Sequence, residues 1–392
     1  MVAALYRFLG ERGCCMKILI LGSKEYPMGS NKGDDPIPSG GMETYVDDIA
    51  LALSKHCELV IVTRKFKGTK KHERTGSIEI LRVPYIKGKY FRNPTFNLLS
   101  FLASLRLMKD VDAIYPQGII ASFFSYILSK LSGKPVACRP AGIAYDQYKF
   151  PLNKILFLLT KSIYMKCDCV VFHSEGERDN FVRILRFTPK RSKVILTGIP
   201  VKKFSRHIKS TKRDFGILEK TPVIGFIGRF VEVKGIEYLV RAASLLKEKN
   251  IKFLMVGDGP QKPEIESLIK SLGLEENFVF TGFTREIPKV LAAMDVFVIS
   301  STSEGLPTSL LEAMAAAKPC IVTDIGLPVE NMKTGLVVPP KSPESLAQGI
   351  EKLLHDKKLC NHLGQNAQAF AMENCTQEKA AKKHYELFNS LI

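Results

Sequence analysis

Three strand-to-helix turns in the second half of the 392-residue chain carry residue types suited to an anion and a hydroxyl-rich ligand. In IGFIGRFVEVKGIEYLV a buried strand ends at Gly228, Arg229 and Lys234 flank a short loop, and Gly235 leads into a helix. A glycine there lets backbone N–H groups approach an anion, a helix start carries positive partial charge, and two cations in one loop suit a diphosphate. Taken locally, the same pattern also fits two surface cations in an ordinary βα turn. In FVISSTSEGLPTSLLEAMAAAKPC a polar loop carries Glu304, Gly305 and Leu306, and Pro307 stands where it can open a helix over Thr308–Ala317. The N–H groups of Thr308, Ser309 and Leu310 are expected to be free at that helix start. Glu304 and Glu312 can face one ligand while reaching different parts of it. Two carboxylates beside a phosphate site are costly unless they accept hydroxyl hydrogen bonds, and a nucleotide sugar supplies many. The third turn, FLMVGDGP, places Gly257, Asp258, Gly259 and Pro260 after a strand; Lys262 breaks the full GxGxxG fingerprint, so it is read only as a tight turn near the ligand. In the first half, PSGGMETYV puts Gly40 and Gly41 at the start of a helix.

The elements that must position these turns alternate strand and helix. Lys17–Leu21 (KILIL) is a short apolar run suited to a fully buried parallel strand. Met42, Tyr45, Val46, Ile49, Ala50 and Leu53 then mark one face of a helix. Further strands are expected at Leu59–Thr63, Ile78–Val83, Ala113–Tyr115, Pro135–Cys138, Cys169–Phe172 and Val194–Leu196. The scheme restarts with strands at Val223–Ile227, Phe253–Val256, Val279–Phe280, Val296–Ile299 and Cys320–Val322. Helices are expected at Ile236–Lys249, Pro263–Leu272, Glu286–Met294 and Thr308–Ala317. Thr197–Thr221 reads as the linker. The fold class is therefore α/β, with two doubly wound Rossmann-like domains facing each other across a cleft that holds the ligand at the strands' carboxyl ends. The expected boundaries are an extension at 1–15, a first domain over 16–205, a second over 206–375, and a final helix over 376–392 packing back on the first domain.

Composition narrows the partners. Hydrophobic residues at 45% and charged residues at 24% exclude disordered and collagen-like classes. The net charge of +18 points to an anionic partner: nucleic acid, an acidic membrane face or a phosphorylated substrate. Residues 1–205 hold 33 basic and 17 acidic residues, and residues 206–392 hold 24 and 22, so nearly all the excess lies in the first half. It is densest from Arg64 to Arg92, where Arg64, Lys65, Lys67, Lys70, Lys71, Arg74, Arg82, Lys87, Lys89 and Arg92 face only Glu73 and Glu79. That run reads either as a solvated surface loop or as an anion-facing patch. Nine cysteines in a chain this long do not make a disulfide framework. Cys167, Cys169 and His173 sit in a strand-like alternation with no second ligand pair nearby, so no metal site is expected. No apolar run approaches the roughly 18–20 residues that span a bilayer, and MVAALYRFLGERGCC is a poor signal peptide, so a cytoplasmic protein is expected.

Together, GRFVEVKG, GDGP, VFTGF, the E-x7-E pair in EGLPTSLLEAMAAAKPCIVTD and SGGMETYVDDIALAL resemble the retaining GT-B glycosyltransferases of the family 4 type (glycosyltransferase group 1) over roughly residues 16–390. The resemblance implies a metal-independent hexosyltransferase without a cofactor, in which Arg229 and Lys234 hold the donor diphosphate in place of a metal ion. It implies Glu304 on donor-sugar hydroxyls, backbone from Gly305 to Leu310 around sugar and phosphates, and Glu312 on the ribose. Gly228 and Gly257 would lie at the donor, the segment from Phe280 to Phe283 beside the base, and Gly40 and Gly41 near donor and acceptor. Where relatives often carry His-Gly, this chain reads CRPAGIAYDQY, with Ala141 at the His place and Gly142 matching; Arg139 or Asp146 would have to supply the polar group. A glycine usual near Ala317 is absent. The implied partners are a nucleotide-sugar donor and a sugar or lipid-linked acceptor, in cell-envelope or glycolipid biosynthesis. The basic first half, with Tyr85, Tyr90, Phe91 and Phe96 interleaved in or beside its patch, is expected to rest on an anionic membrane at its inner face or to hold a lipid-phosphate-linked sugar. The rival readings are a sugar-nucleotide epimerase of the same architecture and a non-catalytic nucleotide- or carbohydrate-binding protein. A nucleic-acid binder is disfavoured, because no recognised module appears.

Overall fold

The computed structural model describes residues 16–31, 41–88, 91–140, 152–205, 211–246 and 250–392. The expected extension 1–15, Gly40, Lys89, Tyr90, Ala141, Gly142 and Asp146 lie outside the described residues. The chain divides into two compact units, one of Met1–His173, Arg178–Gly198 and Gln377–Ile392, the other of Ser174–Glu177 and Ile199–Thr376.

In the first unit, β1 (Lys17–Leu21), β2 (Glu58–Arg64), β3 (His72–Thr75), β4 (Ile78–Val83) and β5 (Ala113–Pro116) form a sheet of order β3-β4-β2-β1-β5. Bridges Ile114–Val136 and Gln117–Arg139 continue it into β6 (Ala137–Cys138), β7 (Cys169–Phe172) and β8 (Ser192–Val194). Strand alternation sorts the side chains onto two covered faces, which is why the central strands read as unbroken apolar runs. Ile18, Ile20, Leu59, Ile61 and Tyr115 meet α1 (Gly41–Leu53) and the last helix, Gln377–Asn389. Leu19, Leu21, Val60, Val62 and Ile114 meet α2 (Arg92–Ser104), α3 (Ile119–Ser132), α4 (Leu152–Lys166) and α5 (Glu175–Leu185). β3 pairs antiparallel with β4 at the sheet edge, through a turn at Gly76; its sequence HERT is exposed and polar, so it carries no hydrophobic signal. β8 begins two residues before its expected start because an edge strand needs no apolar residues to pair: Ser192 and Lys193 lie opposite Val170 and Val171.

A buried polar cluster ties the last helix into this core. The Tyr45 and Tyr115 hydroxyls lie 2.8 Å apart, and His384 Nε2 lies 2.9 and 3.0 Å from them. Its Nδ1 is 2.8 Å from the Ala380 carbonyl and donates to it, so Nε2 is left to accept from a tyrosine.

The second unit holds β9 (Val223–Ile227), β10 (Lys252–Val256), β11 (Phe278–Gly282), β12 (Val296–Ile299), β13 (Cys320–Thr323) and β14 (Leu336–Val338), all parallel, in the order β11-β10-β9-β12-β13-β14. The described part of the expected linker is structured: α6 (Val201–Ser205) buries Val201 and Phe204, and Lys212 reaches Asp295 at 2.6 Å. The division between units accordingly falls at 198/199, ahead of the expected 205/206. The remaining helices are α7 (Ile236–Leu245), α8 (Lys262–Ser271), α9 (Ile287–Ala293), α10 (Thr308–Ala315), α11 (Pro343–His355) and α12 (Lys357–Asn374). No helix among the described residues is long and apolar enough to cross a membrane.

α10 ends two residues before its expected limit, because Ala317 turns left-handed at φ 54°. The Lys318 N–H then closes onto the Ala313 carbonyl, a helix-stop geometry usually given to glycine. The missing glycine thus has a conformational cost. Ala317→Gly is expected to raise the unfolding free energy by about 1 kcal/mol, read from the urea midpoint; a lower midpoint would contradict this. Burial lowers the pKa of His384 to about 4 from its usual 6.5, and burial with the neighbouring Arg139 lowers that of His173 well below normal. Between those values the unfolded chain binds more protons than the folded one. Stability should therefore fall as pH drops from about 6.5 to about 4, by up to about 3 kcal/mol through His384 alone. Urea titrations at pH 7.5 and 5 should show this fall, with a smaller difference in His384→Gln; equal differences in both proteins would count against it.

Candidate functional site

The sheet order of the second unit brings the predicted turns together. β9 is followed in space by β10 and β11 on one side, while β12 returns to pair on its other side. Ligands of doubly wound sheets bind outside the carboxyl ends of strands at such a reversal. The loop after β9 carries Gly228, Arg229 and Lys234, and the loop after β12 carries Glu304 and Gly305.

These two loops are joined by hydrogen bonds. The Thr302 N–H donates to the Val233 carbonyl at 2.8 Å, and the Ser300 hydroxyl donates to the Lys234 carbonyl at 2.9 Å. Lys234 Nζ forms an ion pair with Glu304 Oε1, and the Ser301 hydroxyl donates to the same oxygen at 2.8 Å. The side chains are only 17% and 13% exposed, so each charge is partly desolvated and depends on the other. Sequence reasoning assigned Lys234 and Glu304 to different parts of a ligand and missed that they bind each other; 70 residues separate them. It also missed Ser301, whose signal was its place three residues before Glu304. The Arg229 side chain is exposed, and among the described residues its guanidinium has no hydrogen-bond or ion-pair partner.

The floor of this region is backbone. The Gly228 N–H donates to the Val256 carbonyl at 3.0 Å, and the Gly257 N–H to the Gly282 carbonyl at 2.9 Å, so three neighbouring strands end in linked glycine turns. Gly257 has φ 128°, and a Cβ there would overlap the Gly228 carbonyl oxygen. Gly235 has φ 58°, and its Cβ would strike the Ser300 carbonyl, so glycine is what lets the two loops close up.

Pro307 caps α10 at its N-terminus. Of the three N–H groups expected to be free there, that of Leu310 is taken by the Pro307 carbonyl at 3.1 Å; among the described residues, those of Thr308 and Ser309 have no partner. Leu310 is buried, which also removes its side chain from the surface, while Leu306 and Glu312 are half-buried. Phe280 packs into the core beside Phe230 and Phe278, leaving Phe283, after β11, as the exposed aromatic.

The first unit spends its candidate groups differently. Gly41 opens α1. Arg139 is buried: its Nε donates to His173 Nε2, its Nη1 to Gln117 Oε1 at 3.0 Å, and its guanidinium lies 4.0 Å from the Tyr45 ring centre. His173 in turn sits 3.2 Å from the Ile195 carbonyl. Arg139 is therefore committed to the interior of its own unit. Cys167 and Cys169 are buried, and among the described residues no three His, Cys, Asp or Glu side chains gather as a metal site.

The basic run also needs correction. Arg64 is buried, donates to Asn93 Oδ1 at 2.6 Å and stands 4.9 and 5.3 Å from the Tyr85 and Phe96 ring centres. Arg82 is buried against Glu73 at 2.8 Å and the Lys70 carbonyl. Phe96 belongs to the core. Part of the apparent patch is thus internal.

A family model described as Glycosyl transferases group 1 matches residues 208–370, and one described as Glycosyltransferase Family 4 matches residues 39–203. An uncharacterized glycosyltransferase of Methanocaldococcus jannaschii is 30% identical over 238 residues, covering 58% of this chain and 61% of that protein, under two thirds of its length. The UDP-Gal:alpha-D-GlcNAc-diphosphoundecaprenol alpha-1,3-galactosyltransferase of Escherichia coli is 23% identical over 312 residues, 76% of this chain and 80% of that one. Sucrose-phosphate synthase from Thermosynechococcus elongatus shares the fold, with a TM-score of 0.81 at 21% identity, covering 96% of this chain and 99% of that chain.

The tight glycine floor predicts that Gly257→Ala lowers unfolding free energy by at least about 2 kcal/mol, since both φ and overlap oppose a side chain. Thermal melting of the two proteins checks this; an unchanged melt would show that the turn can relax.

Proposed function

We propose, on the premise that the chain belongs to the group 1, family 4-type glycosyltransferases of GT-B fold, that it moves a hexosyl unit from a nucleotide-diphosphate sugar to the hydroxyl of a lipid-linked acceptor, with retention at the anomeric carbon. The observation that carries this reading is the Lys234–Glu304 pair at the strand-order reversal, beside the unengaged cation of Arg229. A cation held by a carboxylate is kept in position yet can be shared with an entering diphosphate, while the carboxylate turns to sugar hydroxyls. In this reading the bond from the anomeric carbon to the β-phosphate oxygen breaks, and its electron pair stays with the diphosphate. Arg229, Lys234 and the N–H groups of Thr308 and Ser309 stabilise that charge. The acceptor oxygen attacks the same face of the sugar, and its proton passes to the departing phosphate oxygen. No side chain is nominated as a nucleophile, and no metal ion is assigned a part.

Glu304 takes donor-sugar hydroxyls, Glu312 the ribose, and Phe283 borders the base. Gly228, Gly257 and the backbone of Gly305–Leu310 allow close approach to sugar and phosphates. Gly41 is assigned to the acceptor side. The lipid-linked acceptor is supported by the name of the E. coli relative, which specifies a diphosphoundecaprenol acceptor.

The first experiment is a donor screen by thermal shift, followed by mass spectrometry of lipid extracts incubated with the stabilising donor in EDTA. A glycosylated lipid is expected; modified donor released without acceptor would favour an epimerase. With the donor identified, Arg229→Ala and Lys234→Ala should each lower turnover on the order of 10²-fold or more. Near-wild-type turnover in both would sink the assignment.

A further inference from the structure

α2, α3 and α4 lie on the same face of the first unit's sheet, and each sends one side into the core through Phe96, through Ala121 and Leu128, and through Ile163 and Tyr164. Their other sides are unusual. Leu98, Leu102 and Leu105, at the spacing of one helix face, are exposed along α2 and its C-cap; Leu131 is exposed on α3, and Leu158 and Met165 on α4. These six are 41–67% exposed, and Phe91, 65% exposed, extends the α2 row at its start. Singly exposed leucines need no explanation, but rows of them on adjoining helices mark a binding surface.

The charges on this layer say what it binds. None of the three helices contains an Asp or Glu. Their exposed charges include Lys130 and Lys166, and just beyond their ends Arg106 and Lys109 are exposed with Asp110 and Asp168, so cations outnumber carboxylates. An ordinary soluble surface mixes both signs. A protein–protein interface core is depleted in Lys. Exposed Leu and Phe framed by Lys and Arg is instead the composition of helices lying in a lipid headgroup layer, where apolar side chains enter the acyl boundary and cations meet anionic headgroups.

We infer that the outer face of α2, α3 and α4 rests on an anionic lipid bilayer. This contact, rather than the Arg64–Arg92 run, is assigned as the docking surface because it joins cations to rows of exposed leucine; in the run Arg64 and Arg82 are internal, and the exposed Lys65, Lys67, Lys70, Lys71 and Arg74 have no such row among them. Its purpose rests on the lipid-linked acceptor proposed above, but vesicle binding is read without turnover, so failure of one leaves the other standing.

The test is flotation of the full chain with vesicles of phosphatidylcholine alone or with about 30 mol % phosphatidylglycerol. The wild type should float with the acidic vesicles only, less so as salt is raised. Leu98→Glu/Leu102→Glu should lower the bound fraction at least about tenfold, and Leu98→Ala/Leu102→Ala should lower it severalfold without adding charge. Lys65→Gln/Lys70→Gln/Lys71→Gln, on the hairpin side, should change it less than about threefold. Unaltered melting in all variants keeps misfolding from imitating the effect. Failure of the wild type to float, or equal loss in the hairpin variant, overturns the assignment. So does a wild-type dimer by light scattering that Leu98→Glu/Leu102→Glu converts to monomer, which would give the face to a second copy.

Discussion

The arrangement of the second unit depends on the point where strand order reverses between β9 and β12. Successive βα units build outward from β9 through β10 to β11, and the chain then returns to build the other way. Crossovers leaving in opposite directions leave the carboxyl ends of the two central strands uncovered. The polar loops must satisfy one another there, and they do so through Thr302 to Val233, Ser300 to Lys234, and the ion pair between Lys234 and Glu304. The pair is half-buried, so removing either partner would leave a charge with less water than it needs. An anionic ligand offers Lys234 a second partner while leaving Glu304 available to hydroxyls. In the proposed function, the same constraint that closes the loops also prepares them for a ligand bearing both phosphate and sugar.

The first unit uses the same kind of strand order with different contents. Its reversal lies between β1 and β5, where Gly22 approaches the Gln117 carbonyl too closely for any side chain. Gln117, Arg139, His173 and Tyr45 then form a connected buried set. Arg139 has its Nε, its Nη1 and its flat face engaged, whereas the Arg229 side chain is exposed and unengaged among the described residues. Two arginines near the ends of parallel strands therefore have opposite uses: one holds a core together, and the other is open to a ligand. Residue type and position after a strand do not separate these cases; burial does.

That distinction marks how far the sequence could be read. Strands β1, β4, β7, β9 and β12 were legible to the residue, because most of their side chains are apolar and buried. β3, β8 and the short β14 were not, since edge pairing is made by backbone groups that any side chain permits. Arg229, Lys234 and Glu304 were legible as candidates because cations and carboxylates in short glycine turns after strands are local patterns. Their partnership was not legible, because it depends on which strands become neighbours.

Charge shows the same limit from the other side. The dense run from Arg64 to Arg92 looked like one surface, but a strand alternates its side chains, and Arg64 and Arg82 take the inward places. Arg64 is tolerated there because its guanidinium is flat, carries its charge diffusely, and lies between Tyr85 and Phe96 with Asn93 as acceptor. A lysine could not use two aromatic faces and a planar acceptor in that way. A count of cations along a chain therefore overstates the field outside it. The helices of α2 to α4 carry fewer cations and no carboxylate of their own, with Asp110 and Asp168 exposed just beyond their ends. What decides the sign and strength of a surface is the set of charges left outside after folding; on the hairpin that set is still Lys65, Lys67, Lys70, Lys71 and Arg74, so rows of exposed leucine, not charge, set the helical layer apart.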